Sequence, residues 1–117
     1  MTQELKEAID AEIRDNTILV YGKGTKTMPR CGFTLETIQF FDQLGYPFEV
    51  VDALADPEKR QALAEMTDWP TLPKVFIAGK FYGDTDILEP MRQNGELQSV
   101  LEAAFTSTEA KSSSPAR

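Results

Sequence analysis

Residues 69–87 read Trp-Pro-Thr-Leu-Pro-Lys-Val-Phe-Ile-Ala-Gly-Lys-Phe-Tyr-Gly-Asp-Thr-Asp-Ile. Pro70 and Pro73 interrupt any regular element before Lys74, because each lacks an N–H and fixes its own φ. Val75-Phe76-Ile77 then reads as a short strand, Ala78-Gly79 as a turn and Lys80-Phe81-Tyr82 as the returning strand of a hairpin. Asp86 supplies a cap for a short helix through Met91. The hairpin adds antiparallel strands to whatever sheet precedes it.

Upstream, Thr17-Ile18-Leu19-Val20-Tyr21 is a β-rich apolar run, a buried strand by pattern. A Gly-, Thr- and Pro-containing loop follows to Arg30, and Phe33, Ile38, Phe41 and Leu44 then recur at helical spacing up to a terminating Gly45. Phe48–Val51 is a second strand. Asp56-Pro57 is a cap followed by a first-turn proline, which opens a helix to about Met66. A strand–helix–strand unit of this kind makes a parallel pair through a right-handed crossover. Leu5, Ile9 and Ile13 mark a packing helix ahead of the first strand, and Leu97, Val100, Leu101 and Ala104 mark a last helix from Gly95 to Phe105. The order αβαβαββαα predicts an α/β, thioredoxin-like fold: a four-stranded mixed sheet flanked by helices. The expected organisation is one domain over residues 1–105 and a flexible C-terminal tail over 106–117, where Ser, Thr and Ala dominate without an apolar face.

Composition removes several functions. The chain has 117 residues, with 12 basic and 19 acidic side chains and a net charge of −7, which argues against nucleic acid as a partner. No apolar run approaches the ~20 residues of a membrane span. The absence of histidine excludes imidazole catalysis and histidine metal ligands from this chain. A single cysteine, Cys31, excludes an internal disulfide. The acidic first 16 residues lack the apolar segment of a secretory signal. With a lone thiol, they predict a reducing, cytoplasmic location.

Cys31 falls after the first strand, at the start of the crossover helix. Unpaired N–H groups and the helix dipole favour a thiolate there, the form that acts as nucleophile and metal ligand. Lys23 at the other end of the loop adds positive charge. Thr34 stands three residues on, where a Cys-x-x-Cys protein has its resolving thiol; any redox cycle therefore needs a second thiol from outside. Leu72-Pro73 is a candidate cis bond that would expose the Leu72 backbone to an extended peptide. Arg60 and Lys74 read as surface charges or as carboxylate clamps. Trp69 reads as a core anchor, and Gly83-Asp84-Thr85-Asp86 as a helix start able to receive an anion.

These residues together resemble the monothiol glutaredoxins, the family with a Cys-Gly-Phe-Ser active site. The resemblance runs from about Ile18 to Phe105 and is carried by six motifs in order. They are Lys23-Gly24-Thr25, Pro29-Arg30-Cys31-Gly32-Phe33-Thr34, Arg60-Gln61, Trp69-Pro70-Thr71-Leu72-Pro73, Gly83-Asp84-Thr85-Asp86-Ile87 and Arg92-Gln93-Asn94-Gly95-Glu96-Leu97. The resemblance implies glutathione binding. Lys23 and Cys31 would flank the tripeptide's cysteine, with Phe33 beside them, and Arg60 and Lys74 would face its glycine carboxylate. Leu72 would pair with its backbone next to a cis Pro73, and Thr85 and Asp86 would hold its γ-glutamyl end. The resemblance further implies a 2Fe-2S cluster with Cys31 as ligand, shared in a homodimer, with cluster transfer to iron–sulfur apo-proteins, iron homeostasis and BolA-type partners. Ligand counting agrees, because such a cluster takes four ligands, usually thiolates, and two chains with two glutathiones supply four.

The sequence departs from the family pattern at Thr34 for serine, Asp84 for a second glycine and Thr85 for cysteine. A glycine-type position predicts a strained backbone at Asp84, and its charge predicts weaker glutathione binding. Three functions compete: a cluster carrier, a weak glutathione-dependent thiol–disulfide oxidoreductase acting in deglutathionylation through Cys31, and a degenerate glutaredoxin-fold interaction module.

Overall fold

The computed structural model describes residues 1–112, with side chains up to residue 106. Nine elements follow in the expected order: α1 (Gln3–Asp15), β1 (Ile18–Gly22), α2 (Gly32–Leu44), β2 (Glu49–Asp52), α3 (Pro57–Thr67), β3 (Lys74–Ile77), β4 (Lys80–Gly83), α4 (Thr85–Gln93) and α5 (Glu96–Ser112). The strands form one sheet ordered β2-β1-β3-β4. β1 pairs parallel with β2 and antiparallel with β3, and β3 pairs antiparallel with β4. This is the expected thioredoxin-like mixed sheet.

Strand alternation divides the core between the two faces. Ile18 and Val20 of β1 join Val75 and Ile77 of β3 against Ile38, Phe41, Leu88, Leu97 and Leu101 of α2, α4 and α5. Leu19, Tyr21 and Phe76 point the other way, onto Ile9 of α1 and Ala62 and Leu63 of α3. β1 is buried along its whole length, as a central strand covered on both faces must be.

Capping fixes the helix limits. The Thr2 hydroxyl accepts the Leu5 N–H at 3.0 Å, and Asp56 accepts the Lys59 N–H at 3.1 Å ahead of Pro57. The expected cap of α4 is corrected: Asp84 caps it, accepting the Asp86 N–H at 3.0 Å, and Asp86 lies inside the first turn. Behind the sheet, the Tyr21 hydroxyl donates to Glu12 at 2.6 Å and Lys59 donates to the other Glu12 oxygen at 2.7 Å. That chain joins α1, β1 and α3; burial first, and then the Glu12 carboxylate, push the Tyr21 phenol's pKa up. α5 continues to Ser112, past the expected boundary at Phe105; the rest of the expected tail, residues 113–117, lies outside the described residues. Among the described residues no helix is long and apolar enough to cross a membrane.

Candidate functional site

The β1–α2 connection begins after Gly22, and its folding explains where Cys31 sits. Gly24 and Pro29 form an isolated antiparallel bridge, and the Arg30 N–H donates to the Lys23 carbonyl at 2.8 Å. The Gly24 N–H donates to Asp52 at 3.0 Å, which ties the loop to the end of β2. Lys26 crosses to the Phe48 carbonyl at 2.9 Å, with its ammonium 4.0 Å from that ring's centroid. The loop therefore returns the chain to the sheet edge with Cys31 as the residue preceding α2.

Thr34 is fully buried, and its hydroxyl accepts the Lys23 N–H at 3.0 Å. The methyl that distinguishes it from serine rests over Gly22: a Cβ built there would lie 2.7 Å from Thr34 Cγ2. The extra carbon is accommodated because the facing residue has no side chain.

Cys31 is the N-cap of α2, and among the described residues no side chain caps that helix. Its thiol pKa is lowered, first by the Thr34 backbone N–H, then by the Phe33 N–H, the Lys23 charge and the Thr34 hydroxyl, against an opposing contribution from burial. The expected lowering is present, with the helix N–H groups ahead of Lys23 as its cause. Phe33 corrects the helical stripe: it is 69% exposed rather than packed with Ile38 and Phe41.

A groove of about 400 Å³ runs past the thiol. Lys23, Cys31 and Phe33 line it from the β1–α2 side and Arg60 from α3. Leu72 and Pro73 line it from the loop before β3, and Thr85 and Asp86 from α4. The Leu72–Pro73 peptide bond is cis. Eight of the nine anticipated site residues thus meet in one groove, and Lys74 does not line it. Lys74 is 1% exposed, and its ammonium donates to the carbonyls of Trp69 and Thr71. Burial lowers its pKa to about 8. A strand residue behind the proline loop points into the protein, so neither a surface charge nor a clamp at the groove describes it.

Pro70 and Thr71 also line the groove without an expected role there, and Asp84 lines it beside Thr85 and Asp86, where its charge is expected to act. The first two were legible as neighbours of Leu72-Pro73, since a wall built from a loop uses consecutive residues. Asp84 is in extended backbone at φ −139°, while Gly83 takes the left-handed φ of +88°. The expected strain at Asp84 is therefore absent, and only its charge and its hydrogen bond bear on a ligand. Trp69 is half-buried, edge-on to Phe81 with centroids 5.7 Å apart, and its indole N–H is buried without a partner among the described residues.

Chemically, the groove sets one activated thiol beside cations on the β1–α2 loop and α3, with carboxylates at α4. Among the described residues no three histidine, cysteine, aspartate or glutamate side chains gather to hold a metal ion.

Comparison with known proteins agrees with this arrangement. The glutaredoxin family model matches residues 18–82. An uncharacterised monothiol glutaredoxin of Synechocystis is 47% identical over 107 residues, 92% of this chain and 100% of that protein. The solution structure of reduced poplar apo GrxS14 is 37% identical, covers 87% of this chain and 94% of its own, and superposes with a TM-score of 0.78. A buckwheat glutaredoxin–glutathione complex is 26% identical, covers 90% of this chain and 97% of its own, and also gives 0.78.

Proposed function

Since the chain belongs to the glutaredoxin family and has the single cysteine of the monothiol type, we propose that it binds glutathione and carries a 2Fe-2S cluster in a glutathione-ligated homodimer. The observation that carries this reading is Cys31, a thiol of lowered pKa at the open end of a helix, inside a peptide-sized groove with a cis-proline wall. The likeness to a glutathione-bound buckwheat relative supports the choice of peptide. In this reading Arg60 takes the glycine carboxylate, Leu72 pairs with the peptide backbone, Lys23 stands beside the two sulfurs, and Thr85 and Asp86 meet the γ-glutamyl end.

The chain's donors fit one quarter of a cluster's ligand set. Cys31 is the only cysteine and is partly accessible. A 2Fe-2S cluster takes four ligands, usually thiolates, so a second chain and two glutathione thiols complete it. Bound, the cluster supplies transferable iron and sulfide. Iron–sulfur apo-proteins and a BolA-type protein are the proposed partners, with a role in iron homeostasis, and a reducing cytoplasm suits a lone thiol.

The test is anaerobic reconstitution with iron, sulfide and glutathione. The expected product is a coloured dimer containing two glutathiones per cluster, and Cys31→Ser gives none. A cluster that survives Cys31→Ser refutes the ligand assignment. The accessibility of Cys31 favours one second reading, a monothiol oxidoreductase. Its thiolate attacks the glutathione sulfur of a mixed disulfide and releases the protein thiolate. A second glutathione thiolate then attacks the Cys31–glutathione disulfide, which frees oxidised glutathione and restores Cys31. A colourless monomer that reduces glutathione mixed disulfides selects this reading.

A further inference from the structure

Lys74 is the first residue of β3, directly after the loop that walls the groove. Its side chain leaves the groove and runs behind that wall. There the ammonium donates to the carbonyl of Thr71 at 3.0 Å and to that of Trp69, and it lies 6.0 Å from the centroid of the Phe81 ring. Among the described residues no carboxylate pairs with it. A buried cation without a counter-ion is costly, and here backbone carbonyls of the groove wall are what it holds.

We propose that Lys74 is a positioning residue for the groove, whose ammonium ties the carbonyls of Trp69 and Thr71 to the start of β3 and so fixes residues 70–73 as the wall against which a peptide thiol lies. The identity of that thiol as glutathione rests on the reading above; the tie itself does not. Titratable groups on the surrounding elements are engaged elsewhere. Tyr21 of β1, opposite Lys74 in the ladder, is bonded to Glu12 of α1, which also holds Lys59 of α3. Arg60 of α3 opens to the groove, and on β4 Lys80 lies over the Tyr82 ring. Loss of the ammonium's proton replaces charge-assisted hydrogen bonds with weaker neutral ones, and it removes a charge next to the peptide of Trp69.

Trp69 is the only tryptophan, so its emission reports on this loop alone. The experiment uses the full chain with Cys31→Ser, so that no protein thiolate titrates or quenches nearby. Two quantities are read: Trp69 emission from neutral to alkaline pH, and calorimetric affinity for S-methylglutathione at neutral pH. The expected result is an emission step centred near pH 8 that disappears in Lys74→Met, together with about a tenfold loss of affinity. Lys74→Gln, which keeps a donor without the charge, should also lose the step but retain part of the affinity. Unchanged affinity and an unchanged emission profile in both variants would overturn the proposal. So would the absence of any emission step between neutral and alkaline pH in the parent, a result that needs no Lys74 variant to fold. If no protein binds S-methylglutathione while the step is present only in the parent, the tie stands and the glutathione reading falls.

Discussion

Two helices bring their N-termini to the groove, and they are finished in opposite ways. α2 starts at Cys31 with no side chain among the described residues capping it, and its first N–H groups face the thiol. α4 starts at Asp84, whose own carboxylate takes the Asp86 N–H. Both ends carry the same unpaired donors and the same dipole. At α2 they are left for a sulfur anion; at α4 one donor is already occupied and a negative charge stands in front of the rest. A helix end thus becomes chemically active here where the cap is withheld.

If the open end of α2 depends on Thr34 seated against Gly22, Gly22→Ala should have the largest effect. The new Cβ meets a buried, hydrogen-bonded threonine. Chemical denaturation should show a loss of ~3 kcal/mol, reduced when Thr34→Ser removes the facing methyl. A silent Gly22→Ala would mean that the end is not held this way. Thr34→Val comes next: it keeps the shape and leaves the Lys23 N–H without its acceptor, at about 1.5 kcal/mol of stability. The same variant should raise the Cys31 midpoint, read as thiolate absorbance in the ultraviolet against pH.

Opening the closed end is a smaller change. Asp84→Gly costs α4 only a few tenths of a kcal/mol as a cap and removes one carboxylate from the groove. Glutathione affinity should rise by a fewfold, corresponding to ~1 kcal/mol. The gain should fade at high ionic strength, since a charge effect is screened. Equal affinity in both proteins would show that the closed end does not disfavour the ligand. Lys23→Ala should raise the Cys31 midpoint further than Thr34→Val does, because the Lys23 charge precedes the Thr34 hydroxyl among its causes, yet by less than the N–H donors contribute. The midpoint should rise towards, and not pass, the ~8.5 of a free thiol. The sign fixes the stability window. A thiol with a lowered folded pKa contributes stability that is complete above the free value and is lost as pH falls through its own lower value.

The nine elements were legible because each carries its own local signal. Periodicity marked the helices, Gly45 and Asp56-Pro57 marked limits, and Pro70 with Pro73 marked the break before the hairpin. Most of the groove was legible through the order of its motifs. Phe33 was misread because it stands five residues from Ile38, off the stripe, in a first turn that projects past the core. Lys74 was misread because alternation gives the face of a strand residue but not the carbonyls of a loop folded behind it. Asp84 and Asp86 compete as caps on sequence alone; Gly83 at positive φ sets the chain so that Asp84 takes the extended position before the first turn.

The Tyr21–Glu12–Lys59 chain also bears on how the molecule comes apart. A helix at a chain end ordinarily frays first and at little cost. Detaching α1 would strand the Tyr21 hydroxyl in a fully buried residue and empty the place filled by Ile9, while Lys59 would lose its carboxylate. These losses fall together on β1, the central strand, and on α3, which supplies Arg60 to the groove. Opening at the N-terminus should therefore be coupled to opening of the sheet, with α1, β1 and α3 losing their amide protection together.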